Sequence, residues 1–312
     1  MSRKNGSTGR ERLTRRGLVR VGAGRRAEDA DAVAVEEPLE IRVDGETVAV
    51  TMRTPGEDAD LALGFLFAEG LIAGAHDVGT VAHCGRPGEE GHGNVLDVRS
   101  AGGHRIDAER VLEGRRWVTT SSACGVCGRR SIEELVQRCG VVTAPTRLAA
   151  DAVSSMVRRI GEVQPTFART GGLHAAAIYA ADGSLQAAAE DVGRHNAVDK
   201  AVGALLRRGA VGPARAGAGP RGVPVALLAV SGRASFEIVQ KAAVAEIPLV
   251  ASVSAPTSLA VDLAAATGIA LLGFVRDDRL NLYTNGWRVE SAGVEARSPD
   301  GAKRAGPASR PP

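Results

Sequence analysis

The run "VPVALLAVSGR", followed by "ASFEIVQKAAVAE", "IPLVASVSA", "PTSLAVDLAAATG" and "IALLGFVRDDRLNLYT", constrains the fold more than any other part of the chain. Short, wholly apolar runs alternate there with segments of helical spacing. A strand that is apolar on both sides must be covered on both sides. Strand–helix–strand order then calls for right-handed crossovers between parallel neighbours. The second helix is opened by Pro256 and closed by Gly268, and the last run folds back through a polar turn. The expected class is therefore α/β, with a mainly parallel sheet in a three-layer domain. Aromatic residues make up only 3% of the sequence, so Ala, Val and Leu must build its core.

The preceding segment extends this domain back to residue 146. "LHAAAIYAADGSLQAAAEDVGRHNAVDKAVGALLRRG" reads as a strand, an Asp182-Gly183 turn, a strand and a helix with Val198, Val202, Leu205 and Leu206 on one face. "DAVSSMVRRIGEVQ" is a helix before it. The earlier half reads as a smaller α+β domain over residues 31–145. Two alternating runs in "PLEIRVDGETVAVTMRT" flank Asp44-Gly45, a strong two-residue hairpin signal. A helix is expected over residues 57–72, a second hairpin in "VLDVRSAGGHRIDA", and a short helix in "SIEELVQRCG" ending at Gly140.

The formal charge of +3 belongs to the ends of the chain. Residues 1–26 carry nine Lys/Arg and one acid, and residues 291–312 four and two, which leaves a body of 26 basic and 33 acidic residues. Its net negative charge gives no argument for a nucleic-acid surface. Residues 1–30 and 291–312 are expected to be unstructured tails, being rich in Gly and Arg without apolar periodicity. "TRRGLVR" lacks the apolar stretch that an export signal needs, and no run approaches a membrane span. A soluble, cytoplasmic protein is the expectation, and four cysteines in such a chain argue against a disulfide framework.

Ligands of an open α/β sheet bind beyond the carboxyl ends of its strands. Those ends are Ser231-Gly232-Arg233, Ser252 to Ser254, and Arg276-Asp277-Asp278-Arg279. Free N–H groups at the first turn and the guanidiniums of Arg233, Arg276 and Arg279 suit a phosphate. Ordinary strand-to-helix turns with solvated arginines are the other reading. "EDVGRHNAVDK" joins a strand to a helix and packs seven polar or charged groups into eleven residues. Asp191 could cap the helix, and Arg194, His195 and Lys200 could face a site.

"TTSSACGVCGRRSIEEL" holds Cys124 and Cys127. A structural zinc site needs a second ligand pair, and Cys139 and Cys84 stand apart, although His83 beside Cys84 leaves a distorted site open. An inert loop pair is the plain alternative. The case for reactivity is electrostatic. Cys127 stands at the entrance of a helical pattern, and Arg129 and Arg130 adjoin it, so a thiolate there is favoured. The flanking glycines leave sulfur uncovered.

"CGVCG" after a Thr/Ser run, "GGLHAAAIY", "EDVGRHNAVDK", "VSGRASFEIVQKA" and "VSAPTSLAVDLA", in this order, resemble the formate dehydrogenase accessory sulfurtransferase (FdhD) family over roughly residues 35–288. The resemblance implies a sulfurtransferase that takes sulfur from a cysteine desulfurase as a persulfide. It passes that sulfur to the molybdenum cofactor in its bis-molybdopterin guanine dinucleotide form, and formate dehydrogenase becomes active. Cys124 matches the persulfide cysteine and Cys127 the second cysteine. Phe274, Val275, Arg276, Asp277, Asp278 and Arg279 match the cofactor segment. The candidate cofactor contacts become these six together with Ser231, Gly232, Arg233 and His195. No resident metal is expected. The second domain is similar to the cytidine deaminase fold without its zinc, and a homodimer is implied. Asp277 and Asp278 depart from the family's small residues; they would repel phosphates or accept hydrogen bonds from guanine. A non-catalytic cofactor-binding chaperone is the alternative function.

Overall fold

The computed structural model describes residues 11–290 apart from 23, 87–88, 90–91, 103–104, 108–138, 213–223 and 278. Cys124, Cys127 and Asp278 therefore lie outside the described residues, as does most of the short helix expected before Gly140.

A six-stranded sheet organises the fold, in the order β13-β12-β11-β10-β8-β9. Its strands are β8 (His174–Ala180), β9 (Leu185–Asp191), β10 (Val225–Val230), β11 (Leu249–Ser252), β12 (Ala270–Arg276) and β13 (Arg279–Leu282). The central pairs β10–β11 and β11–β12 are parallel, as the apolar runs require. The other three pairings are antiparallel, so the sheet is mixed rather than mainly parallel. Tight turns cause this correction. Asp182-Gly183 and the Asp277 turn each fold a strand straight back on its neighbour, and β8 then enters antiparallel to β10.

Helices cover both faces. On one side lie α4 (Arg194–Arg207), α5 (Phe236–Val244) and α6 (Ser258–Thr267). Their Val198, Leu205, Ile238 and Leu263 pack on Ile178, Leu228, Val250 and Leu271 of the sheet. On the other side α2 (Ala150–Arg158) sets Val153, Met156 and Val157 against Ala177, Leu227, Ala229 and Leu272. Thr257 caps α6 by accepting a hydrogen bond from Ala260 N, and Gly268 ends it in the left-handed region.

The first half builds a four-stranded sheet, β4-β3-β6-β5. β3 (Glu37–Val43) and β4 (Glu46–Arg53) form the expected hairpin, with Asp44 at φ 50 and Gly45 at φ 90. Two positive φ values in a two-residue loop match the right-handed twist of the flanking strands. The described residues 105–107 form no second strand of the expected hairpin. β6 (Val95–Ser100) pairs instead with β3 in parallel and with β5 (Val78–His83) in antiparallel fashion. Downstream, Ile106 N donates to Ser100 Oγ rather than extending a ladder. A second correction concerns the amino-terminal tail. β1 (Leu13–Gly22) and β2 (Arg25–Ala34) form an antiparallel ribbon, although residues up to 30 are expected to be unstructured. Arg20 pairs with Asp29 across the ribbon at 2.5 Å.

The two sheets share one core through α1 (Asp58–Ala68), which crosses α4 at backbone contact. A Cβ at Gly203 would lie 1.9 Å from Asp60 O, and one at Gly64 would lie 2.0 Å from Asp199 O. Neither obstacle is a flexible side chain, so the helices must part to admit a methyl group. Gly203→Ala is expected to cost about 3 kcal/mol, the upper end for overpacking, in denaturant titration. Gly161→Ala, whose Cβ meets nothing within 4 Å, is the control. Equal midpoints for the two would refute the close crossing. No helix among the described residues is long and apolar enough to cross a membrane.

Candidate functional site

The parallel strands end along one edge, with Val230 beside Ser252 in register. Hydrogen bonds fix the turns that follow. Ser231 N donates to Ala175 O at 3.0 Å, and Ser231 Oγ accepts from Ala175 N at 2.9 Å. Ser252 Oγ donates to Gly232 O at 2.6 Å and accepts from Ser254 N at 3.0 Å. The end of β12 is irregular. Its register with β13 shifts between Gly273 and Arg276, and Phe274 and Asp277 hold φ of 53 and 50 without being glycine. Such non-glycine residues are uncommon and concentrate at functional sites.

These turns and the segment from α2 to β8 enclose a cavity of about 710 Å³. That is within the range of small-molecule sites. Its inner wall is apolar, formed by Val157, Ile160, Leu173 and Val275, each at most 4% exposed. The rim carries Arg158, Arg276 and Asp277, all exposed. Arg158 Nη1 donates to Asp277 O at 3.0 Å, which ties α2 to the β12–β13 turn. Phe167, from the short helix α3 (Pro165–Thr170), is a further lining residue. Ser231 and His174 line the cavity too. Burial pushes His174 below the usual histidine range, and the nearby Arg194 and His195 act in the same direction. Its imidazole is neutral at neutral pH and can donate or accept, as its tautomer requires. The two guanidiniums suit an anion at the mouth, and the apolar wall suits a flat ring inside.

Of the sequence-derived candidates, Ser231, Val275, Arg276 and Asp277 meet at this cavity. Gly232 stands beside it; a Cβ there would lie 3.2 Å from His174 Nδ1. Phe274, Arg233 and Arg279 are exposed, and neither they nor His195 line the cavity. His195 links α4 to α5 instead. Its Nδ1 is 2.6 Å from Glu237 Oε2 and its Nε2 is 3.0 Å from Ser235 Oγ. Asp199 nearby faces Lys241 at 2.6 Å. Burial pushes this carboxyl up to about 6 against the pull of Lys241.

Arg158, Gln164, Phe167 and His174 are lining residues that the sequence reading placed in a helix, a connecting segment and a strand without naming them as site residues. A signal was present in "EVQPTFARTGGLH": a glutamine directly before a helix-opening proline, then Gly-Gly. The polar groups of "EDVGRHNAVDK" mostly turn inward. Glu190, Asp191, Asn196, Asp199 and Lys200 are all buried and hold neighbouring segments. Cys84 and Cys139 are half-buried. No group of three or more metal-ligating side chains occurs among the described residues.

A family model described as the FdhD/NarQ family matches residues 34–290. A protein of Anaeromyxobacter dehalogenans (strain 2CP-1), "Sulfur carrier protein FdhD", is 66% identical over 263 residues, 84% of this chain and 90% of that one. A protein of the same description from Mycobacterium tuberculosis is 49% identical over 267 residues, 83% of this chain and 92% of that one. Among solved structures, a candidate formate dehydrogenase accessory protein from Desulfotalea psychrophila superimposes with a TM-score of 0.68. It covers 90% of this chain and all of its own length at 23% identity, a likeness of fold. The family model spans the α/β body, both sheets and every residue of the cavity, so the chain belongs to the FdhD/NarQ family.

Proposed function

We propose that the protein is a sulfurtransferase of formate dehydrogenase maturation. It takes sulfur from a cysteine desulfurase onto Cys124 as a persulfide. It then delivers that sulfur to the molybdenum cofactor in its bis-molybdopterin guanine dinucleotide form, bound as substrate. The observation that carries the reading is the arginine-rimmed cavity at the strand ends, formed in part by the segment matched to the family's cofactor segment. The names of the relatives, sulfur carrier proteins, support the sulfur chemistry. The resemblance of the α/β body to the cytidine deaminase fold, a homodimer and a cytoplasmic setting belong to the same proposal.

The cavity divides the labour. Arg158 and Arg276 offer bidentate donors to a pyrophosphate, and the apolar interior takes a base out of water. Asp277 is turned so that its backbone oxygen receives Arg158, which draws a cation toward the phosphate position. The electrons balance within the C-x-x-C motif. When Cys127 attacks the inner sulfur of the Cys124 persulfide, the outer sulfur leaves as hydrosulfide and a Cys124–Cys127 disulfide remains.

Incubation of the purified chain with a cysteine desulfurase and cysteine is expected to add about 32 Da, one sulfur atom, at Cys124. Peptide mass spectrometry locates it. An unmodified Cys124, with the adduct absent or on Cys84 or Cys139, would sink the carrier role. The cavity lining holds no cysteine among the described residues, which is the observation that favours a cofactor chaperone as the second reading.

A further inference from the structure

The inner part of the cavity holds a polar group that the fold does not use. Gln164 is 7% exposed and lines the cavity. It stands at the N-cap position of α3, yet its side chain makes no capping bond. Glu190 of β9 does that work instead. Its Oε2 accepts from Thr166 N at 3.0 Å and its Oε1 from Phe167 N at 2.8 Å. The Gln164 carboxamide is left with no hydrogen-bond partner among the described residues. The amide keeps access to the cavity space, so a ligand with a matching donor and acceptor can pair with it.

The surroundings restrict the ligand. Val157, Ile160, Leu173 and Val275 give apolar walls around the amide, and Arg158 and Arg276 stand at the mouth. A flat heteroaromatic ring inside, with its anionic group outside, satisfies both ends. We propose that Gln164 reads the base of the nucleotide held in this cavity, pairing in plane with the donor–acceptor edge of a purine. The proposal rests on the nucleotide reading above and adds the residue that recognises the ring. One orientation of the amide accepts from guanine N1–H and donates to O6. The flipped orientation accepts from the adenine amino group and donates to N1. A carboxylate at this position only accepts, which suits guanine N1–H and N2–H and opposes adenine N1.

Calorimetric titration of GDP, ADP and CDP into the full chain tests this. The wild type is expected to bind GDP more tightly than CDP. Gln164→Met, near in shape but unable to pair, is expected to weaken GDP about tenfold or more, since unpaired polar groups are left on the bound base. Gln164→Glu is expected to raise the GDP-over-ADP preference about tenfold. Arg276→Ala should weaken all three nucleotides alike. Unchanged GDP affinity in Gln164→Met overturns the assignment while leaving the nucleotide site standing. If that variant does not fold, the GDP-over-ADP ratio of Gln164→Glu decides, and an unchanged ratio overturns the assignment. A wild type that binds none of the three nucleotides overturns the nucleotide reading itself, and this proposal with it.

Discussion

Replacing Cys124 by alanine is expected to abolish activation of formate dehydrogenase in cells that lack the native protein, with the variant folded and present at normal abundance. The physical reason is that a persulfide needs a thiolate to form. Cys84 and Cys139 are half-buried, and Cys139 packs against the main core. A thiol held in packing is shielded from a bulky donor. Activity should therefore fall to background rather than to an intermediate level. Cys127→Ala should still acquire the added sulfur but release it slowly, because the resolving thiol is gone. The comparison also separates sulfur transfer from chaperoning. A chaperone uses the cavity and not the thiols, so full formate dehydrogenase activity in Cys124→Ala would favour the chaperone and remove Cys124 from the mechanism.

The parts of the fold that sequence made legible are those where one local rule suffices. The apolar runs ending at Val230, Ser252 and Arg276 name the parallel core strands, and hence the edge where the cavity opens. Asp44-Gly45 and Asp182-Gly183 name their hairpins because few residues accept the backbone that such turns need. Strand order was less legible. β8 and β10 are both rich in alanine and buried on both faces, and nothing local in them distinguishes a parallel from an antiparallel neighbour. The β1–β2 ribbon was hidden because neither strand has a buried residue, so it presents no apolar face to read. In the site, the strand-end residues Ser231, Arg276 and Asp277 were legible from topology, and Val275 only through the family resemblance. Arg158 and Gln164 were not, because they reach the cavity through the packing of α2 and α3, which no short motif encodes.

Lys200→Met is expected to destabilise the fold by about 3–5 kcal/mol, the cost of leaving a buried carboxylate without its partner. Asp191 is fully buried and Lys200 is 1% exposed. Lys200 Nζ lies 2.7 Å from Asp191 Oδ2 and donates to Thr54 O at 2.8 Å. Asp191 also accepts from Thr54 N at 3.1 Å, Gly193 N at 2.8 Å and Asn196 Nδ2 at 3.0 Å. The pair therefore joins the loop after β4, in the four-stranded sheet, to the start of α4, in the α/β body. Burial lowers the pKa of Lys200 and the Asp191 carboxylate pulls it back up. Methionine fills the volume of the lysine stem but leaves Asp191 and Thr54 O unmatched. Adding Asp191→Asn removes the stranded charge, and the double variant should recover part of the loss in urea titration. A loss below about 1 kcal/mol in Lys200→Met, the scale of a surface pair, would refute the role of this tie. The consequence extends to the cavity. Asp191 faces His174 in the β8–β9 register, and His174 is part of the cavity wall. A variant that loosens Asp191 should therefore bind GDP more weakly although no residue of the cavity itself has changed.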